Sequence, residues 1–497
     1  MTALLTWRYL NEYARRPLNL VLLGVVPVIF VALSAGAIAD FARILGGEAS
    51  LGQLEAATAG WAAGFLAGVA GFFHVTGSRE PDRRLAAAGS ATAKVVAARV
   101  ISSLALAAFA SAGALIALAV RTQVADVTRA VGATIMFAAI YLAIGITVGA
   151  LVRSEVNGSL LIVFIWMFDV FFGPAMGRAQ SVITRFFPSH FPTLVMLDAT
   201  TTHAGPLGDL GASLAWTLGG LAVAVVALHS TTRPVLIAHA HRVIGGWSRI
   251  GTGLRYAWRE YRRNIALWVL LVGLPVFFIS LSIAVTPDDP APVELVENGR
   301  SAISIVSMTD AHGAIMVPIT VAFLAGLAGL FVVIGSEEGD RRLVLAGFKP
   351  REVLASRLGV ITLAAVLVSI VSLAVTAGSF QPASWPTFAL ATLAVAVTYA
   401  MIGVVIGPLV GRLGGLYLMF LLPFLDVGLA QNVMFDAAPP AWATWMPAHG
   451  AVRVLIDGAF TPGFDETKGL LLTVIWLVGV TAAAAVVFHH TSAPRKA

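Results

Sequence analysis

Apolar runs of about twenty residues recur along this chain, and a helix of that length crosses the roughly 30 Å hydrocarbon layer of a bilayer. Twelve stand out, near residues 17–39, 56–76, 96–120, 130–152, 157–175, 209–229, 265–285, 312–334, 356–377, 387–409, 414–431 and 469–490. Lipid offers backbone N–H and C=O groups no water to bond, so each run is expected to be helical. Charge is scarce to match. Only 12% of the 497 residues are Asp, Glu, Lys or Arg, where a soluble domain carries about 25%. The mean hydropathy is +0.88. The expected fold class is an all-α polytopic membrane protein with twelve transmembrane helices. The formal charge of +6 fits Lys- and Arg-rich cytoplasmic loops better than nucleic-acid binding. No cysteine occurs, which removes disulfides, thiolate metal sites and cysteine nucleophiles.

The runs form two sets of six, and the segments around them repeat in order. GSREPDRRLAAAG, from Gly77, is answered by GSEEGDRRLVLAG, from Gly335, and residues 77–99 match residues 335–357 at 12 of 23 positions. NEYARRPLN, from Asn11, is answered by WREYRRNIA, from Trp258, which pairs Tyr13 with Tyr261 and Pro27 with Pro275. MFDVFF and FLDVGL pair Asp169 with Asp426, and two later segments pair Pro188, His190 and Asp198 with Pro447, His449 and Asp457. An even number of helices per half makes such repeats parallel in topology. The expected organisation is a first half over residues 1–230, a linker with a second amphipathic helix over 231–264, and a second half over 265–497. A pseudo-twofold axis would relate the halves.

Placing the N-terminus in the cytoplasm puts about 24 of the 32 Lys and Arg residues on cytoplasmic segments, as the positive-inside tendency asks. The expected setting is the cell membrane of a bacterium, with both termini and both charged motifs inside. The acidic stretch TPDDPAPVELVENG then falls outside. Positive-inside accounts for Arg83, Arg84, Arg341 and Arg342, but it has no use for Glu80, Asp82, Glu338 and Asp340. A mixed-charge surface written twice suits docking of a soluble protein, and a plain solvated loop is the alternative. Each copy is expected to fold as a short helix against the cytoplasmic face. Trp7, Tyr9, Tyr13, Arg15 and Arg16 recur at helical spacing, as do Tyr256, Trp258, Tyr261, Arg262 and Arg263. Such a pattern suits an amphipathic helix in the headgroup region.

Asp169 and Asp426 lie inside apolar runs, where a carboxylate is costly unless it meets a polar cavity or a partner. They would line a substrate path, or else sit protonated at a helix kink, capped by hydrogen bonds, beside Pro423 or the Gly173-Pro174 break. Phe171, Phe172, Leu429 and Met434 are candidates for an apolar gate. Pro188, His190, Pro447 and His449 mark a re-entrant segment on the outside. No second pair of ligands lies near those histidines in the sequence, so no metal site is expected.

A leading helix rich in Trp, Tyr and Arg, an E-x-D-R-R-L…G turn after the second apolar run, and a Pro-broken outer segment (FFPSHFPTL), all present twice, resemble the membrane subunits of ABC-2-type ATP-binding cassette exporters. The double-length form is similar to actinobacterial antibiotic efflux permeases of the tetronasin type. The resemblance implies that the charged turns are coupling helices docked on two copies of a separate ATPase, which would bind ATP and Mg. It also implies export of a lipophilic antibiotic, drug or lipid, with no catalysis by this chain. No G-x-x-x-x-G-K-[ST] loop occurs, so this chain has no phosphate loop of its own. Two alternatives stay open: proton-coupled transport through Asp169 and Asp426, and a membrane scaffold that transports nothing.

Overall fold

The chain is a helical, multi-pass membrane protein. The computed structural model describes residues 2–44, 49–122, 124, 126–176, 182–197, 205–232, 265–297, 299–345 and 350–492. Among the described residues, nine helices are long and apolar enough to cross a membrane. The chain divides into two compact units, Met1–His241 and Arg242–Ala497.

The first unit begins with α1 (Thr2–Ala14), followed by the long α2 (Pro17–Ile44) and α3 (Leu51–Thr76). A short α4 (Arg79–Ala87) precedes α5 (Thr92–Arg121), α6 (Val127–Leu151) and α7 (Glu155–Phe171). After two single 3₁₀ turns come α8 (His190–Leu197) and α9 (Gly205–Thr232). Local chemistry sets several starts. Ser50 and Gln53 form a reciprocal capping box on α3, Asp126 caps α6 and Ser154 caps α7, each accepting from N–H groups the first turn leaves free.

Helix α3 is the least hydropathic of these spans, yet it is buried along nearly all its length. Its sequence, GWAAGFLAGVAG, supplies the reason. Gly60, Gly64, Gly68 and Gly71 form a stripe against α6, where an added Cβ would meet Phe137, Tyr141 or Leu142. Closest of all, a Cβ on Gly145 would run into the carbonyl oxygen of Gly68. Without a hydrophobic drive between helices in lipid, dispersion contacts at such close backbone approach hold the pair together.

The second unit holds α10 (Ile265–Val285), a β-hairpin of β1 (Pro290–Glu297) and β2 (Arg300–Ser307), and α11 (Met308–Leu345). Then follow α12 (Pro350–Thr376) and α13 (Trp385–Pro423), the latter two helices meeting at Gly411, whose φ is 76°. A π-helical turn (Phe424–Ala430), α14 (His449–Phe460) and α15 (Thr467–Ser492) complete it. Here α11 and α13 cross as α3 and α6 do: a Cβ on Gly403 would strike the Gly326 carbonyl oxygen.

Two features differ from the sequence expectation. The acidic stretch after α10 is an antiparallel hairpin with Glu297 opposite Arg300 and Gly299 at φ 74°, so the fold is not helical throughout. Asn-Gly is the pair that two-residue hairpin turns favour, and the N-G-R letters carried that signal. The two charged motifs also fold differently. The first is a separate helix, α4, whereas the second continues α11 without a break to Leu345. Pro81 stands where the second copy has Gly339. Proline has no N–H for the carbonyl four residues back and its ring clashes there, but it is tolerated in a first helical turn.

Candidate functional site

The charged motif of the first unit is built around a buried ion pair. Asp82, on α4, takes two hydrogen bonds from the Arg99 guanidinium on α5, at 2.7 and 3.0 Å, and both side chains are buried. Tyr9 of α1 donates its hydroxyl to the same carboxylate at 3.0 Å, and Arg99 stacks on the Tyr9 ring, 3.6 Å from its centroid. Burial first, and then the Asp82 charge, push the Tyr9 phenol up to about 12, so it stays a donor at neutral pH. The free guanidinium nitrogen of Arg99 reaches His74 Nε2 at 3.1 Å, and that nitrogen also meets the Ser102 hydroxyl at 2.9 Å. Four helices, α1, α3, α4 and α5, thus converge on one charge pair. Removing one partner of such a pair costs about 3–5 kcal/mol because the other charge is left stranded.

The remaining charges of α4 have distinct tasks. Arg79 donates to the carbonyls of Gly149, at 2.7 Å, and Val152, at 2.5 Å, and Arg83 to that of Thr231 at 2.8 Å. These are the carbonyls that α6 and α9 leave unpaired at their C-termini, where positive charge is favoured by the helix dipole. Glu80 and Arg84 form an exposed i,i+4 pair at 3.2 Å. Of the four residues expected at a docking surface, Glu80 and Arg84 therefore face outward, Arg83 is half-buried as a helix cap, and Asp82 lies inside.

In the second unit, Asp340 is buried and accepts from Arg357 at 2.8 and 3.0 Å and from Ser336 at 2.9 Å. Glu338, Arg341 and Arg342 lie on α11, and their side chains fall outside the described residues. So does the second amphipathic segment with Tyr256, Trp258, Tyr261, Arg262 and Arg263, as does Asp198.

The intramembrane aspartates occupy matching clasps. Asp169, at the end of α7, accepts the Tyr141 hydroxyl of α6 at 2.5 Å and the Ser189 backbone N–H at 3.0 Å. Asp426, in the π-helical turn, accepts the Tyr399 hydroxyl of α13 at 2.7 Å and the Ala448 backbone N–H at 2.8 Å. Each carboxylate is buried and ties a membrane helix to the residue just before the short helix α8 or α14. Neither carboxylate has an exposed face.

Around these clasps lie the other sequence candidates. Pro188 and Pro447 sit in the bends that precede α8 and α14. His190 is buried at the start of α8, and His449 Nδ1 bonds Gln431 Oε1 at 2.9 Å. Burial, and then the Arg453 charge, lower the pKa of His449. Phe172 stacks on Phe168 with centroids 4.7 Å apart, and Phe187 closes edge-on against both at 5.0 and 6.2 Å. Phe171 and Leu429 are half-buried, while Met434 is buried and its N–H donates to Asn432 Oδ1 at 3.0 Å.

Sequence reasoning missed the partners. Arg99 and Arg357 close the repeated 23-residue stretch, and Tyr141 and Tyr399 begin the similar segments YLAIGITVG and YAMIGVVIG. The repeat itself was the signal for both. No family model matches the chain, and no curated protein matches it in sequence.

Proposed function

We propose that this chain is the membrane subunit of an ATP-driven exporter that carries a lipophilic antibiotic, drug or lipid out of a bacterial cell. Two copies of a separate soluble ATPase, with ATP and Mg, energise it from the cytoplasmic side, where both termini lie. A pseudo-twofold relation between the two six-helix halves is part of this reading. The observation that carries it is α4: a short charged helix, fixed to α1 and α5 by the bonds of Asp82 with Tyr9 and Arg99 and to α6 and α9 by the Arg79 and Arg83 caps, that turns Glu80 and Arg84 outward. A surface loop needs no such foundation, whereas a helix that receives force from a soluble partner does. The mixed signs at Glu80 and Arg84 would set the register of the contact.

The test exchanges the pair. Glu80→Arg with Arg84→Glu keeps an i,i+4 ion pair, at a cost to the isolated helix of a few tenths of a kcal/mol, while reversing the pattern offered to a partner. The wild-type chain, extracted gently from its native membrane, should carry an ATPase with it and show no nucleotide turnover once stripped of that partner. The exchanged chain should melt at the same temperature and lose the ATPase. ATP turnover by the chain alone, or full retention of the ATPase after the exchange, would overturn the reading.

A further inference from the structure

The hairpin of the second unit has two unlike edges. Glu294 N–H bonds the Ala437 carbonyl at 2.8 Å, and Met308 N–H bonds the Asp289 carbonyl at 2.8 Å. With Glu294 opposite Ile303, these bonds fix the parity: Pro290, Pro292 and Glu294 direct their backbone away from β2, and Ser301, Ile303, Ile305 and Ser307 direct theirs away from β1. The edge of β1 is therefore closed by two prolines and by residue 437. Natural sheets blunt their edges in this way, with proline, charge or cover. The edge of β2 has none of these devices along residues 301–307. Among the described residues no backbone bond leaves that edge, and Ile303 and Ile305 are both 67% exposed.

The letters on that edge read the same in either direction: Ser301-Ala302-Ile303-Ser304-Ile305-Val306-Ser307, apart from the Ala/Val exchange. We infer that β2 pairs with β2 of a second copy of this chain, antiparallel about Ser304. An isologous contact requires each residue i to meet j while j meets i. Centred on Ser304, the outward-bonding residues meet only one another, Ile303 with Ile305 and Ser301 with Ser307, which matches apolar with apolar and hydroxyl with hydroxyl. A centre halfway between residues would set outward groups against inward ones and make no ladder. The dyad of such a pair is perpendicular to the sheet. It suits a hairpin that buries Ala291, Val293 and Leu295 on its inner face and leaves the other open. The result is a four-stranded sheet joining two chains.

The absence of cysteine gives a clean test. In the full-length chain, Ser304→Cys places two thiols at a non-hydrogen-bonded pair with Cα atoms about 4.5 Å apart, within disulfide reach. Ser301→Cys places them about 20 Å apart, six residues along the strands and far beyond reach. Treated with copper phenanthroline in membranes, the Ser304→Cys chain should appear mostly as a covalent dimer and the Ser301→Cys chain as monomer. Adding Ile303→Lys to Ser304→Cys should abolish the dimer while the chain still melts as the parent does. Equal cross-linking at both positions, monomer at both, or cross-linking to a different protein would overturn the proposal.

Discussion

A buried carboxylate needs donors, and Asp169 and Asp426 each find one phenol and one backbone N–H. Tyr141 and Tyr399 belong to the same clasps as Asp169 and Asp426, although only the aspartates stand out in the sequence. An acid in an apolar run breaks the composition, whereas a tyrosine passes as one more large side chain. Tyr141→Phe removes a donor and leaves the Asp169 carboxylate under-satisfied, at a cost of about 1–3 kcal/mol. The thermal midpoint of the detergent-solubilised chain should fall accordingly. Combining Tyr141→Phe with Asp169→Leu should lose less than the two single changes summed, since no charge is then stranded. A strictly additive pair would show that the clasp is not a unit.

Among the elements, the tightest crossings are made where glycine meets backbone. Gly145 lies against the Gly68 carbonyl and Gly403 against that of Gly326, so α6 on α3 and α13 on α11 tolerate no side chain there. Gly145→Ala and Gly403→Ala should each cost about 1–3 kcal/mol by overpacking, read as a lowered midpoint. Gly132→Ala is the control on the same α6, because nothing stands within 4 Å of its added Cβ. Alanine is the better helix former by about 1 kcal/mol, so that variant should hold or gain stability. A loss at Gly132 matching that at Gly145 would separate the effect from packing.

At the scale of the molecule, the two copies of the charged motif sit on different kinds of element. Pro81 makes the first charged motif a separate helix, and Gly339 lets the second run on as part of α11. The hairpin is held in the second unit by Arg453, which reaches Glu294 at 3.1 Å and Glu466 at 2.7 Å. If identical ATPase subunits meet the two motifs, they meet different surfaces. Exchanging Glu338 with Arg342 should then weaken ATPase retention by a different factor than exchanging Glu80 with Arg84, measured on the same preparation. Equal losses would make the two motifs equivalent.

What the sequence determined by itself follows from period and composition. The membrane class, the apolar helical runs and the short charged helix after α3 all rest on local rules that need no distant partner. The occurrence of each motif in two copies was equally legible, because it compares letters with letters. Only the tertiary structure decided what the charges do. Asp82 reads as a surface acid on a polar helix until Arg99, seventeen residues on, and Tyr9, seventy-three residues back, are brought to it. Asp169 stands alone in its apolar run until Tyr141 and the Ser189 N–H are brought to it. A charge in a sequence announces that it needs a partner, but which partner it meets depends on helix crossings, and in this chain those crossings are set by glycines whose missing side chains leave no hydropathic trace.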